Sequence, residues 1–83
     1  MRQLPEWWSW PFLLTPHVEL RTEERGLDEV VLRSLLDRPV SIQRDRDDVR
    51  WRTTGREGGT EWTVVLEPDP SAGVVYVITV FRR

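Results

Sequence analysis

Hydrophobic and polar positions follow helical spacing in the first half of the chain and strand spacing in the second half. Thr15 and Pro16 are typical of a helix start, because threonine is a good N-cap and proline suits the first helical position. The pattern predicts a helix over 16–25. Gly26 should end it, since glycine accepts the left-handed conformation beyond a helix end.

The second predicted helix is amphipathic and should lie on a sheet. It runs over 28–37, with Asp28 as its cap and Pro39 shortly after its end. Its apolar residues form a stripe at helical spacing, namely Val31, Leu32, Leu35 and Leu36.

Alternating apolar and polar residues predict strands in the second half of the chain. The glycine pair at 58–59 lies in a predicted hairpin loop over 55–60, and a turn is expected over 68–73. The predicted strands span 40–44, 49–54, 62–67 and 74–81. We therefore predict an α+β fold, with two N-terminal helices on one face of a three- to four-stranded antiparallel sheet.

The N-terminal stretch WWSWPFLL, residues 7–14, has an apolar residue at every second position from its second tryptophan onward. This alternation favours an extended segment, and Pro11 restricts it to an edge strand or an arm. Two interpretations stay open. The tryptophans either pack over the core or form a partner-binding surface, which could also join two copies of the chain. The residues concerned are Trp7, Trp8 and Trp10.

Size and composition limit the chemistry. A length of 83 residues indicates a single domain over 1–83, with residues 1–14 as a tryptophan-rich arm. Because the chain has no Cys and one His, disulfides, thiolate sites and His-rich metal sites are excluded, and we expect no metal or cofactor. No apolar run approaches the roughly 20 residues that span a bilayer, and no signal peptide is visible. We expect a cytoplasmic protein without membrane contact.

Several short motifs, taken in order, resemble the family labelled domain of unknown function 4258. Shorter pieces also match that family's pattern, namely Pro39, the pair Arg50-Trp51 and Thr79. The two longer motifs are His17-x-x-x-Arg21-x-x-x-Arg25-Gly26 and Trp62-x-Val64-x-x-Glu67-Pro68-Asp69. The resemblance covers about residues 12 to 82. That family is similar to the RelE, ParE and BrnT toxins, so it implies a RelE-like fold and a metal-independent ribonuclease or RNA-binding toxin with an antitoxin partner.

The residues themselves offer limited independent support for that activity. A ribonuclease without metal needs a base, and histidine is the residue type whose unperturbed pKa suits proton transfer near neutral pH. The candidate catalytic residues are His17 and Arg21, and the candidate phosphate-binding residues are Arg25, Arg50, Arg52 and Arg56. Arg56 and Phe81 replace a His and a Tyr that are frequent in the related pattern, which removes two proton-transferring groups.

Charge leaves a second function open. The net charge is −2 and all twelve cations are arginines, so no basic block marks a nucleic-acid surface. The arginines on the predicted helix and strands could equally form ion pairs or a solvated face. The alternative to a toxin is therefore a non-catalytic protein-interaction module that uses the tryptophan-rich N-terminal segment.

Overall fold

The computed structural model describes residues 4–24, 27–44, 46 and 49–82, and for residues 21 and 22 the backbone alone. A 3₁₀ turn, Glu6–Ser9, comes first. It is followed by β1 (Phe12–Leu14), α1 (Pro16–Glu24), α2 (Glu29–Asp37), β2 (Ser41–Arg44), β3 (Trp51–Glu57), β4 (Thr60–Asp69) and β5 (Val74–Arg82). The predicted helix end at Gly26 lies outside the described residues.

The five strands form one mixed sheet in the order β1-β5-β4-β3-β2, with β1 parallel to β5 and the other neighbours antiparallel. The predicted fold class, two helices on a three- to four-stranded antiparallel sheet, is therefore wrong. The protein is mostly sheet, and α1 and α2 have only nine residues each. The error arose at the N-terminus, where β1 adds a strand beside β5. Pro11 does not block this pairing, because it lies before the strand and accepts from the Val75 N–H through its carbonyl at 2.8 Å.

Short-range capping determines where both helices begin, and these predictions are confirmed. The Thr15 hydroxyl accepts from the Val18 N–H at 3.3 Å and donates to the Val77 carbonyl at 3.0 Å, so it caps α1 and ties it to β5. Asp28 caps α2 by accepting from the Val30 N–H at 2.8 Å.

The two faces of the sheet differ. Successive strand residues point to opposite sides, so one set meets the helices and the next set points away. The first set, with α2 and Val18 of α1, forms the core; its members in β4 and β5 are Trp62, Val64, Leu66, Val75, Val77 and Val80. We call this side the helix-covered face. The other side, the open face, carries residues such as Arg52, Val65 and Phe81.

The predicted edge strand is confirmed for Phe12–Leu14, which form β1 at the edge of the sheet, but the tryptophan stretch before it is not extended. It forms the 3₁₀ turn, in which the Trp8 N–H donates to the Pro5 carbonyl and the Trp10 N–H to the Trp7 carbonyl, each at 3.0 Å. The Trp8 indole N–H donates to the Leu36 carbonyl at 3.1 Å, at the end of α2. All three tryptophans of the segment pack against the core, and burial of these rings outweighs the alternation that favoured an extended segment.

The predicted loops are shorter than expected. β3 continues through Gly55, and the hairpin turn contains only Gly58 and Gly59, whose φ angles of 56° and 82° suit a two-residue turn. β4 likewise runs on through Pro68. Since β3 begins opposite Leu66, Pro68 has a strand neighbour only on the β5 side, an edge position where proline is tolerated.

Candidate binding groove

Two of the predicted phosphate-binding arginines, Arg52 and Arg56, lie on the other side of the sheet from His17. His17 is exposed on α1, and it makes no hydrogen bond or ion pair with the described residues. Arg52 lies on the open face, where its Cζ is 6.0 Å from the centre of the Phe81 ring. Arg56 is exposed and pairs in register with Glu61 on that same face. The structure thus does not bring these two arginines to His17.

The other predicted cations have different surroundings. Arg50 precedes β3, and its Nε is 3.2 Å from Oε1 of Glu67, so this cation already has a carboxylate partner. The backbone of Arg21 lies in α1, but its side chain is not described, and Arg25 lies outside the described residues.

The three predicted partner-binding tryptophans are all half-buried, and they differ in what they touch. Trp8 lies between Trp7 and Phe12, with ring centres 5.3 and 5.4 Å away, and its N–H is bonded to α2. Trp10 packs against the core. Trp7 also reaches Trp51, edge to face, with ring centres 5.4 Å apart. Trp7 is therefore the member of the group that links the core to Trp51 at the start of β3.

A groove of about 280 Å³ opens beside this ring pair. Its wall includes the guanidinium of Arg44, whose Cζ lies 5.3 Å from the centre of the Trp51 ring, a distance typical of a cation–π contact. Val49, which is 55% exposed, forms part of the rim. The lining consists of Trp7, Arg44, Val49, Trp51, Pro68 and Pro70. We call this site the Trp7–Trp51 groove.

Strand register explains how these residues meet. Arg44 ends β2 and pairs with Trp51 at the start of β3, and Trp51 pairs with Leu66 near the end of β4. Antiparallel neighbours bring the end of one strand beside the start of the next, so the prolines that follow Leu66 reach the same end of the sheet. The 3₁₀ turn then adds Trp7 from the helix-covered side.

Several groove residues were not among the predicted site residues. Arg44 and Trp51 were assigned to strands, and Pro68 to a turn. A correct register between β2 and β3 would have placed Arg44 opposite Trp51. The contact between Trp7 and Trp51 links positions far apart in the chain, and no local pattern indicates it.

Two negative observations concern only the described part of the chain. It contains no group of three or more His, Asp or Glu side chains arranged to hold a metal ion. It also contains no helix with the length and apolar character needed to cross a membrane.

Comparison of the chain with protein-family models, with curated proteins and with solved structures finds no match.

Proposed function

We propose that this protein is a non-catalytic protein-binding module and that the Trp7–Trp51 groove is its binding site. The observation that carries the proposal is the pairing of two half-exposed indole rings with the Arg44 guanidinium in one open groove. Tryptophan and arginine are the residue types that dominate binding energy at protein interfaces, because they combine large apolar area with hydrogen-bond donors.

Three of the predicted phosphate-binding arginines lie away from His17, which supports binding rather than catalysis. Arg21, the other predicted catalytic residue, lies one helical turn from His17 in α1, and its side chain is not described. Cleavage of RNA without metal requires a base and a phosphate-binding cation at the same phosphate. His17 is on the helix side of the sheet, whereas Arg52 and Arg56 are on the open face, and Arg50 is paired with Glu67. None of these three arginines is positioned to assist His17.

The test is selection from an unbiased peptide library with the intact protein as bait. We expect enriched peptides that bind wild type and lose binding to Arg44→Ala, an exposed position whose replacement should leave the fold intact. Arg52→Ala, on the open face, is the matched control and should bind these peptides normally. A library that yields no peptide dependent on Arg44 would refute the groove as the site.

A second candidate is the toxin-type RNA-cleaving or RNA-binding protein that the resemblance implies. It is favoured by one feature of the open face, which carries Arg52 over the Phe81 ring and, further along the same strand, the exposed Arg56, since aromatic and arginine side chains on a sheet can hold unpaired bases. The antitoxin partner and the cytoplasmic location belong to this proposal.

The two candidates give different results in one RNA assay. A toxin-type nuclease cleaves RNA in the presence of a metal chelator, and His17→Ala abolishes the cleavage. An RNA-binding protein without cleavage loses affinity in Arg52→Ala and Arg56→Ala but not in Arg44→Ala. Chelator-resistant cleavage that depends on His17 would overturn the non-catalytic assignment.

A further inference from the structure

The described side chains of the Trp7–Trp51 groove offer hydrogen-bond donors rather than acceptors. Its lining side chains are two indoles, one guanidinium, one valine and two prolines. Indole and guanidinium groups donate hydrogen bonds and accept none, and the remaining side chains do neither. Among the described residues, the side chains of the groove therefore present donors and apolar surface to a ligand, but no acceptor.

These donors are also unused within the described part of the chain. The Trp8 indole N–H donates to Leu36, but no described residue accepts from Trp7, Trp51 or the Arg44 guanidinium. No buried side-chain nitrogen lacks a partner among the described residues, so the two unpaired indole N–H groups reach solvent. They are available to a ligand that brings acceptors.

We infer that the groove binds a proline-containing peptide in the polyproline II conformation, with an acidic residue beside the prolines. This rests on the proposed function. Such a peptide has no internal hydrogen bonds, so its carbonyls are free acceptors, and proline itself has no N–H. Its rings match the apolar indole and proline surfaces, as in other aromatic-lined grooves. The acidic residue supplies a carboxylate for Arg44.

The size of the groove argues against a small molecule as its ligand, and the charge of the protein argues against RNA. The volume of about 280 Å³ is just below the roughly 300–1,000 Å³ typical of small-molecule sites, and the groove is open, which suits a chain segment crossing the surface. RNA would bring phosphates to a protein of net charge −2, whose groove has Arg44 as its one cation among the described residues.

The experiment measures fluorescence anisotropy of short labelled probes with the full-length protein. The probes are an acidic proline-rich peptide, the same peptide with alanine for proline, the same peptide with arginine for the acidic residues, and oligouridine. We expect the acidic proline-rich peptide to bind roughly tenfold or more tightly than its alanine version, because proline is preordered in this conformation.

Variants locate the contacts. Arg44→Ala should weaken binding of the acidic peptide about ten- to hundredfold, the range of a lost charge-assisted hydrogen bond, and leave the arginine peptide unaffected. Trp51→Phe keeps an aromatic ring but removes the N–H, and should weaken binding about two- to tenfold. Arg52→Ala, on the open face, should bind as wild type. Circular dichroism of each variant verifies that it is folded.

Each contrary result identifies what has failed. If the alanine or arginine peptide binds as tightly as the acidic proline peptide, the ligand class is wrong. If oligouridine binds and Arg44→Ala abolishes that binding, the groove is a nucleic-acid site. If library peptides bind through Arg44 but no proline peptide does, this inference fails and the proposed function stands. If neither set binds, both fail.

Discussion

Gly55 gives the sharpest test of how the helices rest on the sheet. It lies in β3 opposite Trp62, where α2 passes directly over the strand. A Cβ built on Gly55 would be 3.1 Å from Cδ2, 3.3 Å from the carbonyl oxygen and 3.4 Å from Cβ of Leu35. Leu35 is 4% exposed and cannot move outward without opening the core. The absence of a side chain at Gly55 thus allows the close approach of α2.

Whether Gly55→Ala stabilises or destabilises the protein shows whether α2 crowds this strand position. In an uncrowded strand, Gly→Ala would stabilise by about 0.5–1 kcal/mol, since glycine loses more backbone entropy on folding. Forcing an extra methyl into a packed core costs about 1–3 kcal/mol. We therefore expect Gly55→Ala to lower the free energy of unfolding by about 1–2 kcal/mol. In a domain of this size, 1 kcal/mol shifts the melting temperature by about 4–8 °C.

Urea denaturation followed by tryptophan fluorescence measures this change, and the chain offers five tryptophans as probes. The m-value should stay constant, which shows that the midpoint reports stability. Leu35→Val supplies the matched background, because valine lacks the Cδ2 atom nearest to the added methyl. Gly55→Ala should cost less there, with a coupling of at least about 0.5 kcal/mol. A Gly55→Ala protein as stable as wild type, or an equal loss in both backgrounds, would refute the close-approach argument.

Substitutions at three further positions test local interactions by the same denaturation assay. Thr15→Ala removes a helix cap and a hydrogen bond to β5, so it should cost about 1–2 kcal/mol, and Thr15→Ser should recover most of that loss. Asp28→Ala should cost about 1 kcal/mol and Asp28→Asn much less, because asparagine also caps; equal losses would argue against the cap. Arg50→Ala should cost under about 1 kcal/mol, since Arg50 and Glu67 are about 41% and 35% exposed, and a larger loss would mean that the pair is more than a surface ion pair.

Features with local causes could be predicted from the sequence. The caps at Thr15 and Asp28 depend on residues within three positions of each cap. The alternation of apolar and polar residues in β4 indicates a strand regardless of which strands pair with it. The apolar stripe of α2 likewise indicates the buried face, and Leu32, Leu35 and Leu36 are all in the core.

Features with long-range causes could not be predicted. The parallel partner of β1 lies about sixty residues away, and nothing in Phe12–Leu14 indicates the direction of that partner. Gly55 was assigned to a loop because glycine is common in turns, whereas its place in β3 depends on α2 crossing above it. Trp7 was expected in an extended segment because its neighbourhood alternates, but contacts with Trp8 and Trp51 hold it in a turn.

The separation of the two faces has a consequence for function. The groove is formed by Trp7, from the helix-covered side, and by the neighbouring ends of β2, β3 and β4. Arg52 and Phe81, in contrast, lie on the open face. A ligand in the groove would touch Trp7, whose ring also packs against the core, and, like any ligand that binds only the folded chain, it should stabilise the fold. A ligand on the open face would touch exposed arginines that contribute little to that core. Arg44→Ala and Arg52→Ala therefore perturb the two candidate sites independently, and a peptide in the groove would leave the open face free for a second partner.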